Sequence, residues 1–166
     1  KGYKVSLLYW EQSLLRFYSF GKNIDREIYN SEIRVLSCKK LYKSKKSGFD
    51  GEFWRINRLH LKNNVPFILE VSNIPLRYLP VFKEDDLKQT SLYNLFNDKE
   101  VLIINAKEYL KPALPSKKEQ KLLEIESNVP IFDILRYTYN SEKKLVEIRE
   151  SIIRGDYFQF SLNISL

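Results

Sequence analysis

The segment Glu52–Leu61 constrains the fold most, because it places polar side chains on an otherwise apolar strand face. Period-two alternation puts four side chains on one side of an extended chain: Trp54, Ile56, Arg58 and His60. A charge on an apolar face is costly unless another group pairs with it. The pattern therefore predicts either an internal ion pair or a ligand that is anionic at one end and polar at the other.

The register of the next hairpin decides whether this arginine has an internal partner. The turn signal Asn63–Asn64 joins the strand that holds Arg58 to a second predicted strand, Phe67–Ser72. A plain two-residue turn would pair Arg58 with Leu69 and leave Glu70 on the other face. A three-residue loop or a bulge would set Arg58 opposite Glu70. We predict the second arrangement, because opposite charges buried together cost less than charges buried apart.

The rest of the chain alternates between short strand patterns and short helical patterns. Further strands are predicted at Ile33–Tyr42, Val101–Leu110, Val129–Tyr139, Leu145–Ile153 and Tyr157–Ile164. Short helices or turns are predicted at Asn23–Asn30, Thr90–Phe96 and Ser116–Ile125, the last opened by a capping box of Ser116 and Glu119. Hairpin-connected strands with a few helices indicate an α+β fold with a central, mainly antiparallel sheet flanked by short helices.

Composition excludes several classes of protein. The 166 residues, 43% of them hydrophobic, fit one domain with a real core. No apolar run reaches the roughly 18–20 residues that span a bilayer, so we expect no membrane partner. The lone Cys38 excludes an internal disulfide and suggests a reducing, cytoplasmic setting. With one cysteine and one histidine, a zinc site is nearly excluded, and we expect no metal or organic cofactor.

Net charge leaves a nucleic-acid partner open but does not favour it. The chain carries a formal charge of +7, yet most of its lysines are scattered. We find no aromatic–glycine motif of the RNA-binding kind. The exception is a group of lysines around the polar loop Lys43–Gly51: Lys39, Lys40, Lys43, Lys45 and Lys46. This run is interpreted as a solvated loop, which could also face DNA held by a neighbouring domain.

Several short motifs, in order and spacing, resemble the UTRA domain, the effector-binding module of GntR-type bacterial transcription regulators of the HutC subfamily. They are Ser19-Phe20, Arg58-Leu59-His60-Leu61, Pro66, Glu70, Leu79-Pro80, Ser91-Leu92-Tyr93, Val146-Glu147 and Arg154-Gly155-Asp156 followed by Tyr157–Phe160. The resemblance implies a chorismate lyase-like fold with a ligand cleft beside the sheet. It also implies a homodimer that binds a small effector, such as a sugar phosphate or a similar anionic metabolite, and performs no chemistry.

The resemblance also suggests how the chain is organised. Residues 1–6 look like the end of a wing from an N-terminal winged-helix DNA-binding domain, and 7–166 would be the UTRA domain. The chain contains no methionine, so we expect a processed form or an excised domain whose contact with DNA runs through that N-terminal part.

Seven effector-binding residues are implied by the resemblance: Ser19, Arg58, His60, Glu70, Ser91, Tyr93 and Glu147. Arg58 would hold a phosphate or carboxylate, although a structural ion pair with Glu70 or Asp156 is the alternative. His60 stands where the family usually has a second arginine, so this chain lacks one fixed charge. Glu70 and Glu147 would accept hydrogen bonds from the ligand, and the alternative for Glu147 is an exposed strand residue.

Two other functions compete with effector binding. A small lyase-type enzyme of the same fold could hold a chorismate-like diacid through Arg58, but the chain offers no catalytic triad, metal cluster or phosphate loop. A free-standing basic nucleic-acid-binding module would need a motif that the scattered lysines do not supply. We therefore expect a regulator, acting as a repressor, rather than an enzyme.

Overall fold

The computed structural model describes residues 10–13, 32–42, 49–89, 92–161 and 164. The strands are β1 Trp10–Ser13, β2 Glu32–Tyr42, β3 Glu52–Lys62, β4 Val65–Pro75, β5 Ile103–Ala113, β6 Ile131–Asn140, β7 Leu145–Arg154 and β8 Phe158–Ser161. The helices are α1 Asp86–Gln89, α2 Leu92–Asp98 and α3 Lys117–Leu123, with a 3-10 turn at Leu76–Tyr78.

Six of these strands form one antiparallel sheet in the order β2-β3-β4-β7-β6-β5. The strands β2–β3–β4 and β5–β6–β7 are two meanders, and the sheet becomes continuous where β4 pairs with β7. The strands β1 and β8 pair in parallel as a separate two-stranded sheet. This architecture confirms the predicted α+β fold with a mainly antiparallel sheet and short helices.

The β3–β4 hairpin has the predicted register, and a bulge creates it. Asn63 and Asn64 form a two-residue turn with positive φ angles of 51° and 64°, a conformation that asparagine tolerates well. Pairing then shifts between His60 and Leu61, so that Phe67 is the extra residue of β4. The shift sets Arg58 directly opposite Glu70.

The two faces of the sheet bury separate apolar cores. The face that carries Arg58 (the cluster face) is covered by α1 and α2. Its core contains Ile56, Ile74, Leu87, Leu92, Phe96 and Val146. The opposite face is covered in part by α3, and its core contains Leu59, Leu61, Leu69, Leu123 and Ile131. Burial on both sides explains why Phe53–Leu61 has few exposed positions on either face.

The capping box of α3 is confirmed. The backbone N–H of Glu119 donates to Ser116 Oγ at 3.4 Å, and the Glu119 carboxylate accepts from the N–H of Ser116 at 2.6 Å. Both interactions satisfy helix N–H groups that have no partner within the helix.

Other predicted elements differ in extent or lie elsewhere. The short helix α1 was not predicted, β5 runs to Ala113, and β4 continues to Pro75. The last strand is described over Phe158–Ser161, and residues 162–163 of the predicted strand lie outside the described residues. The predicted helix or turn at Asn23–Asn30 lies outside the described residues, as do residues 43–48 of the polar loop and residues 90–91 before α2.

Candidate functional site

Six charged side chains meet on the cluster face beneath α2, and none is more than 7% exposed. This charged cluster consists of Arg58, Glu70, Glu108, Arg136, Glu147 and Arg149. The register explains the assembly: Arg149 lies opposite Ser72 and Arg136, and Arg136 lies opposite Glu108. A polar row therefore crosses β4, β7, β6 and β5 on one face of the sheet.

Glu70 is held by arginines on both sides. Arg58 donates from Nε to Glu70 Oε1 at 3.0 Å, and a second nitrogen of the same guanidinium contacts that oxygen. Arg149 donates to Glu70 Oε2 at 3.1 Å. Burial acts to raise the pKa of the Glu70 carboxyl, but the charges of Arg58 and Arg149 outweigh burial and hold this pKa well below its usual range.

Glu147 lies deeper in the cluster and is fully buried. It accepts hydrogen bonds from the hydroxyls of Ser72 at 2.8 Å and Thr138 at 3.2 Å. Arg149 Nε lies 3.8 Å from Glu147 Oε1. The alternative that Glu147 is an exposed strand residue is therefore wrong. The charged residues just before it belong to the exposed turn that precedes β7, whereas the Glu147 side chain lies on the covered face of the sheet.

Tyr93 connects α2 to the cluster. Its hydroxyl accepts a hydrogen bond from Arg136 at 2.8 Å and another from Arg149. The same hydroxyl lies 3.5 Å from Glu147 Oε2, and the guanidinium carbon of Arg149 stands 5.1 Å from the ring centroid. Of the residues predicted at this site, the structure therefore brings together Arg58, His60, Glu70, Tyr93 and Glu147.

His60 is buried beside Glu70. Its Nε2 lies 3.8 Å from Glu70 Oε2, and its ring packs edge-on against Phe67 with centroids 6.4 Å apart. Burial lowers the pKa of the imidazole, and the nearby charge of Glu70 only partly opposes this effect. The site therefore lacks a fixed positive charge at the position where an arginine was expected from the resemblance.

Sequence analysis missed three members of the cluster: Glu108, Arg136 and Arg149. Arg136 pairs with Glu108 through Nε, and Arg149 bridges Glu70 and Tyr93. A signal was available, because Arg136 and Arg149 each interrupt an apolar alternating strand as Arg58 does. Burial and Arg149 act to lower the pKa of Arg136, but Tyr93 and Glu108 outweigh them and raise it.

Two predicted site residues, Ser19 and Ser91, lie outside the described residues. Asp156 does not partner Arg58, because it accepts two hydrogen bonds from Arg154, at 3.0 and 2.8 Å. A turn at residues 155–157 follows β7, and the N–H of Gly155 donates to the carbonyl of Pro130 at 2.9 Å.

In the part of the chain that the structure describes, no group of three or more His, Cys, Asp or Glu side chains is arranged to hold a metal ion. Among the same residues, no helix has the length and apolarity needed to cross a bilayer.

The fold is that of effector domains from bacterial transcription regulators. The effector domain of PhnF from Mycobacterium smegmatis matches 95% of this chain and 100% of its own length, with a TM-score of 0.80 at 19% identity. A transcriptional regulator of the GntR family from Enterococcus faecalis V583 matches 80% of this chain and 99% of its own, with a TM-score of 0.71 at 17% identity.

The UTRA domain family matches residues 31–159, and the chain belongs to this family. The transcriptional repressor NagR of Bacillus subtilis is 26% identical over 113 residues, which are 68% of this chain and 46% of NagR. The repressor PhnF of Mycolicibacterium smegmatis is 25% identical over 107 residues, 64% of this chain and 44% of PhnF. The matched part spans less than half of each repressor, and both relatives are regulators rather than enzymes.

Proposed function

We propose that this chain is the small-molecule-sensing domain of a transcriptional repressor and performs no catalysis. It binds an anionic metabolite, such as a sugar phosphate, on the cluster face. Binding changes the geometry of a homodimer and so alters the DNA affinity of an N-terminal winged-helix domain in the cytoplasm. Coupling of this kind requires only that the effector bind one dimer geometry more tightly than the other.

The charged cluster is the observation that carries this proposal. Three arginines and three glutamates buried on one sheet face are expensive to desolvate, and a domain built only for stability gains more from apolar packing there. Arginine forks recognise phosphate and carboxylate groups, and glutamates accept hydrogen bonds from hydroxyl or amino groups. The pattern of charges therefore matches a polyol or amine that carries an anionic end.

The proposed binding residues have distinct roles. Arg58 attracts the anionic end, and Glu70 keeps the Arg58 fork in place. Glu147 and Tyr93 hydrogen-bond the polar part of the ligand. Because His60 supplies no fixed charge, we expect the affinity for the effector to depend less on a doubly charged phosphate than it would with a second arginine at this position. Ser19 and Ser91 remain predicted contributors from their position in the family motifs.

A thermal-shift screen tests this function directly. The protein is screened against sugar phosphates, free sugars, amino acids and chorismate, because a ligand that binds only the folded state raises the unfolding midpoint. The variant Arg58→Ala should lose the response, and Arg58→Lys should retain part of it, since lysine keeps the charge without the fork. The matched control is Arg34→Ala, which removes an exposed arginine from β2 and should respond like the native protein.

Each result of the screen has a defined meaning. A response to sugar phosphates that Arg58→Ala abolishes supports the proposal, and a response confined to unphosphorylated compounds shows that His60 has changed the specificity. A separate activity assay with chorismate tests the lyase alternative, and detectable turnover would overturn the proposal. If no compound in a broad set shifts the midpoint, effector sensing at this cluster is refuted.

The homodimer is proposed to form along β5. Two strands are candidates for the interface, the aromatic-rich β8 and β5, but β8 pairs with β1 within the chain and buries Phe158. In contrast, β5 is an edge of the main sheet, and large apolar side chains along and beside it are exposed: Leu102, Ile104, Tyr109 and Leu114. A long, apolar edge strand is a template for pairing with another chain.

Sedimentation analysis of a charged edge variant tests this interface. Ile104→Glu places a charge on the exposed edge and should shift the equilibrium from dimer toward monomer. The matched control is Val81→Glu, which adds the same charge at a site that is 71% exposed and outside any strand. A dimer that survives Ile104→Glu as well as it survives Val81→Glu would rule out β5 as the interface.

A further inference from the structure

Among the described residues, one buried carboxylate oxygen of the charged cluster has no hydrogen-bond donor. Both oxygens of Glu70 and both oxygens of Glu147 accept hydrogen bonds from neighbouring side chains. Glu108 differs, because Arg136 donates to its Oε1 while no described residue donates to its Oε2. The Glu108 side chain is only 1% exposed, so this oxygen is enclosed by the protein.

An enclosed acceptor of this kind needs a physical explanation. A carboxylate oxygen loses its hydration when it is buried, and a donor must replace the water to offset that cost. The large majority of buried polar atoms in folded proteins have such a donor. Neutralising Arg136 requires only one oxygen of Glu108. The ion pair therefore explains why the carboxylate is present, but not why its second oxygen is enclosed without a donor.

Glu108 stands at one end of the charged cluster. It belongs to β5, the edge strand of the sheet, and it lies opposite Arg136 on β6. Arg58 lies at the other end of the cluster on β3, so four strand spacings of about 4.8 Å separate the two strands. A ligand that contacts Arg58 with its anionic end would therefore meet Glu108 with its far end.

We propose that Oε2 of Glu108 accepts a hydrogen bond from the end of the effector opposite its anionic group. A carboxylate paired with a guanidinium accepts hydrogen bonds and donates none, so the matching group is a protonated amine or a hydroxyl. The amine fits best: the cluster holds three arginines and three glutamates, and an ammonium group offsets the negative charge that the anionic end adds.

This inference rests on the proposed function and deepens it. Arg58 selects the anionic end, and Glu108 becomes the residue that selects a hydrogen-bond donor at the other end. The tyrosine of α2, Tyr93, accepts a hydrogen bond from Arg136, the partner of Glu108. Because Oε2 is enclosed, a ligand that reaches it has to shift part of the cover over the cluster, which includes α2.

Three synthetic phosphates test the inference without knowledge of the natural effector. Hexyl phosphate offers the anionic end alone, whereas 6-aminohexyl phosphate and 6-hydroxyhexyl phosphate add an ammonium or a hydroxyl group at the far end. Isothermal titration calorimetry measures the Kd of each compound. Because charge-assisted hydrogen bonds are the stronger ones, the native protein should bind the amine at least about tenfold more tightly than hexyl phosphate, with the hydroxyl compound between them.

The variant Glu108→Gln removes the proposed acceptor and keeps the shape of the side chain. The amide oxygen can still accept from Nε of Arg136, while the amide nitrogen puts a donor at the position of Oε2. The preference for the amine over hexyl phosphate should disappear. A purely structural role of Glu108 would weaken both compounds equally and leave the preference intact. The matched control is Glu150→Gln, an exposed glutamate of β7, which should keep the native preference.

A second variant guards against misfolding of the first. Combining Glu108→Gln with Arg136→Gln removes both charges of the ion pair together, so no buried guanidinium loses its carboxylate. This double variant should also lose the preference for the amine. The proposal is overturned if none of the three phosphates binds, if the native protein binds the amine no more tightly than hexyl phosphate, or if both variants keep the preference.

These outcomes are separate from those of the effector screen. If a metabolite binds in an Arg58-dependent manner and the preference for the amine is absent, the role of Glu108 is refuted and effector sensing stands. If the preference depends on Glu108 and no metabolite binds the native protein, the role of Glu108 stands and effector sensing is refuted.

Discussion

Arg58 and Glu70 face each other across the β3–β4 hairpin, with Arg58 Nε 3.0 Å from Glu70 Oε1 and both side chains almost fully buried. The pairing depends on the one extra residue that the bulge at Phe67 provides. Without the bulge, Glu70 would point to the opposite face, and Arg58 and Arg149 would both lack its carboxylate. The backbone irregularity and the charge pair therefore form one structural unit.

Replacing Glu70 by Gln should destabilise the protein and change its response to acid. At pH 7 the loss of charge leaves two buried guanidinium groups on a neutral acceptor, which we expect to cost about 3 kcal/mol of the free energy of unfolding. Because the pKa of Glu70 lies well below 4.5 in the folded state, its stabilisation is present above about pH 4.5 and is lost as the pH falls further. Denaturant titrations at several pH values measure both effects.

The control for this variant is Glu142→Gln, which removes an exposed partner of Lys144. It should leave the stability at pH 7 close to that of the native protein, because surface ion pairs contribute little. An equal loss in both variants would show that the buried position of Glu70 is not what matters.

His60 should make the protein less stable in mild acid. Burial lowers the pKa of the folded imidazole below its ordinary value of 6.5, so the unfolded chain binds the proton more readily. The contribution of neutral His60 to the free energy of unfolding is fully present above about pH 6.5 and decreases as the pH falls toward the folded pKa. This contribution should change by at most about 1.4 kcal/mol per pH unit.

Comparison with His60→Gln isolates this contribution, because the chain contains no other histidine. The free energy of unfolding, measured by denaturant titration between pH 7.5 and 5.5, should fall less steeply in the variant. Identical slopes would contradict a neutral, buried His60.

The sequence predicted the hairpin and half of the cluster, and the reasons for this limit are physical. Arg58 and Glu70 lie close in sequence, and a single rule about buried charges selected their register. Arg149 lies 79 residues from Glu70 along the chain, and their contact depends on the pairing of β4 with β7. Local patterns do not determine which hairpins become neighbours in a sheet, so Arg136, Arg149 and Glu108 could not be joined to the site.

The short helices show the same division between features set by local sequence and features set by contacts distant in sequence. The helix α3 was predicted because its capping box is a local hydrogen-bonding pattern. The four-residue helix α1 has no such signal, and its buried Leu87 reflects packing on the cluster face. Elements stabilised mainly by tertiary contacts are poorly encoded by local propensity.

Truncating Leu123 should show how much α3 contributes to stability. Leu123 is fully buried against Leu59 and Leu69 on the face opposite the cluster. Leu123→Ala removes apolar contacts and leaves a cavity, so we expect a loss of about 3 kcal/mol in the free energy of unfolding. Val81→Ala, at a position that is 71% exposed and away from the proposed dimer interface, is the matched control and should change the free energy of unfolding by less than about 0.5 kcal/mol.

Two glycines should resist substitution for different reasons, and the first reason is a steric clash. A Cβ at Gly155 would lie 2.7 Å from the carbonyl oxygen of Pro130, which the Gly155 N–H holds in place. Both Gly155→Ala and Gly155→Asn should therefore lower the free energy of unfolding by about 1–3 kcal/mol, through a contact that no rotation of a side chain relieves.

At Gly51 the reason is the backbone conformation. Among the described residues, no atom outside its chain neighbours would lie within 4 Å of a Cβ at Gly51, but φ is +87°. Gly51→Asn should therefore cost less than Gly51→Ala, because asparagine tolerates positive φ better. Denaturant titration of the Ala and Asn variants at both glycines measures these differences, and equal costs for Ala and Asn at Gly51 would contradict the conformational explanation there.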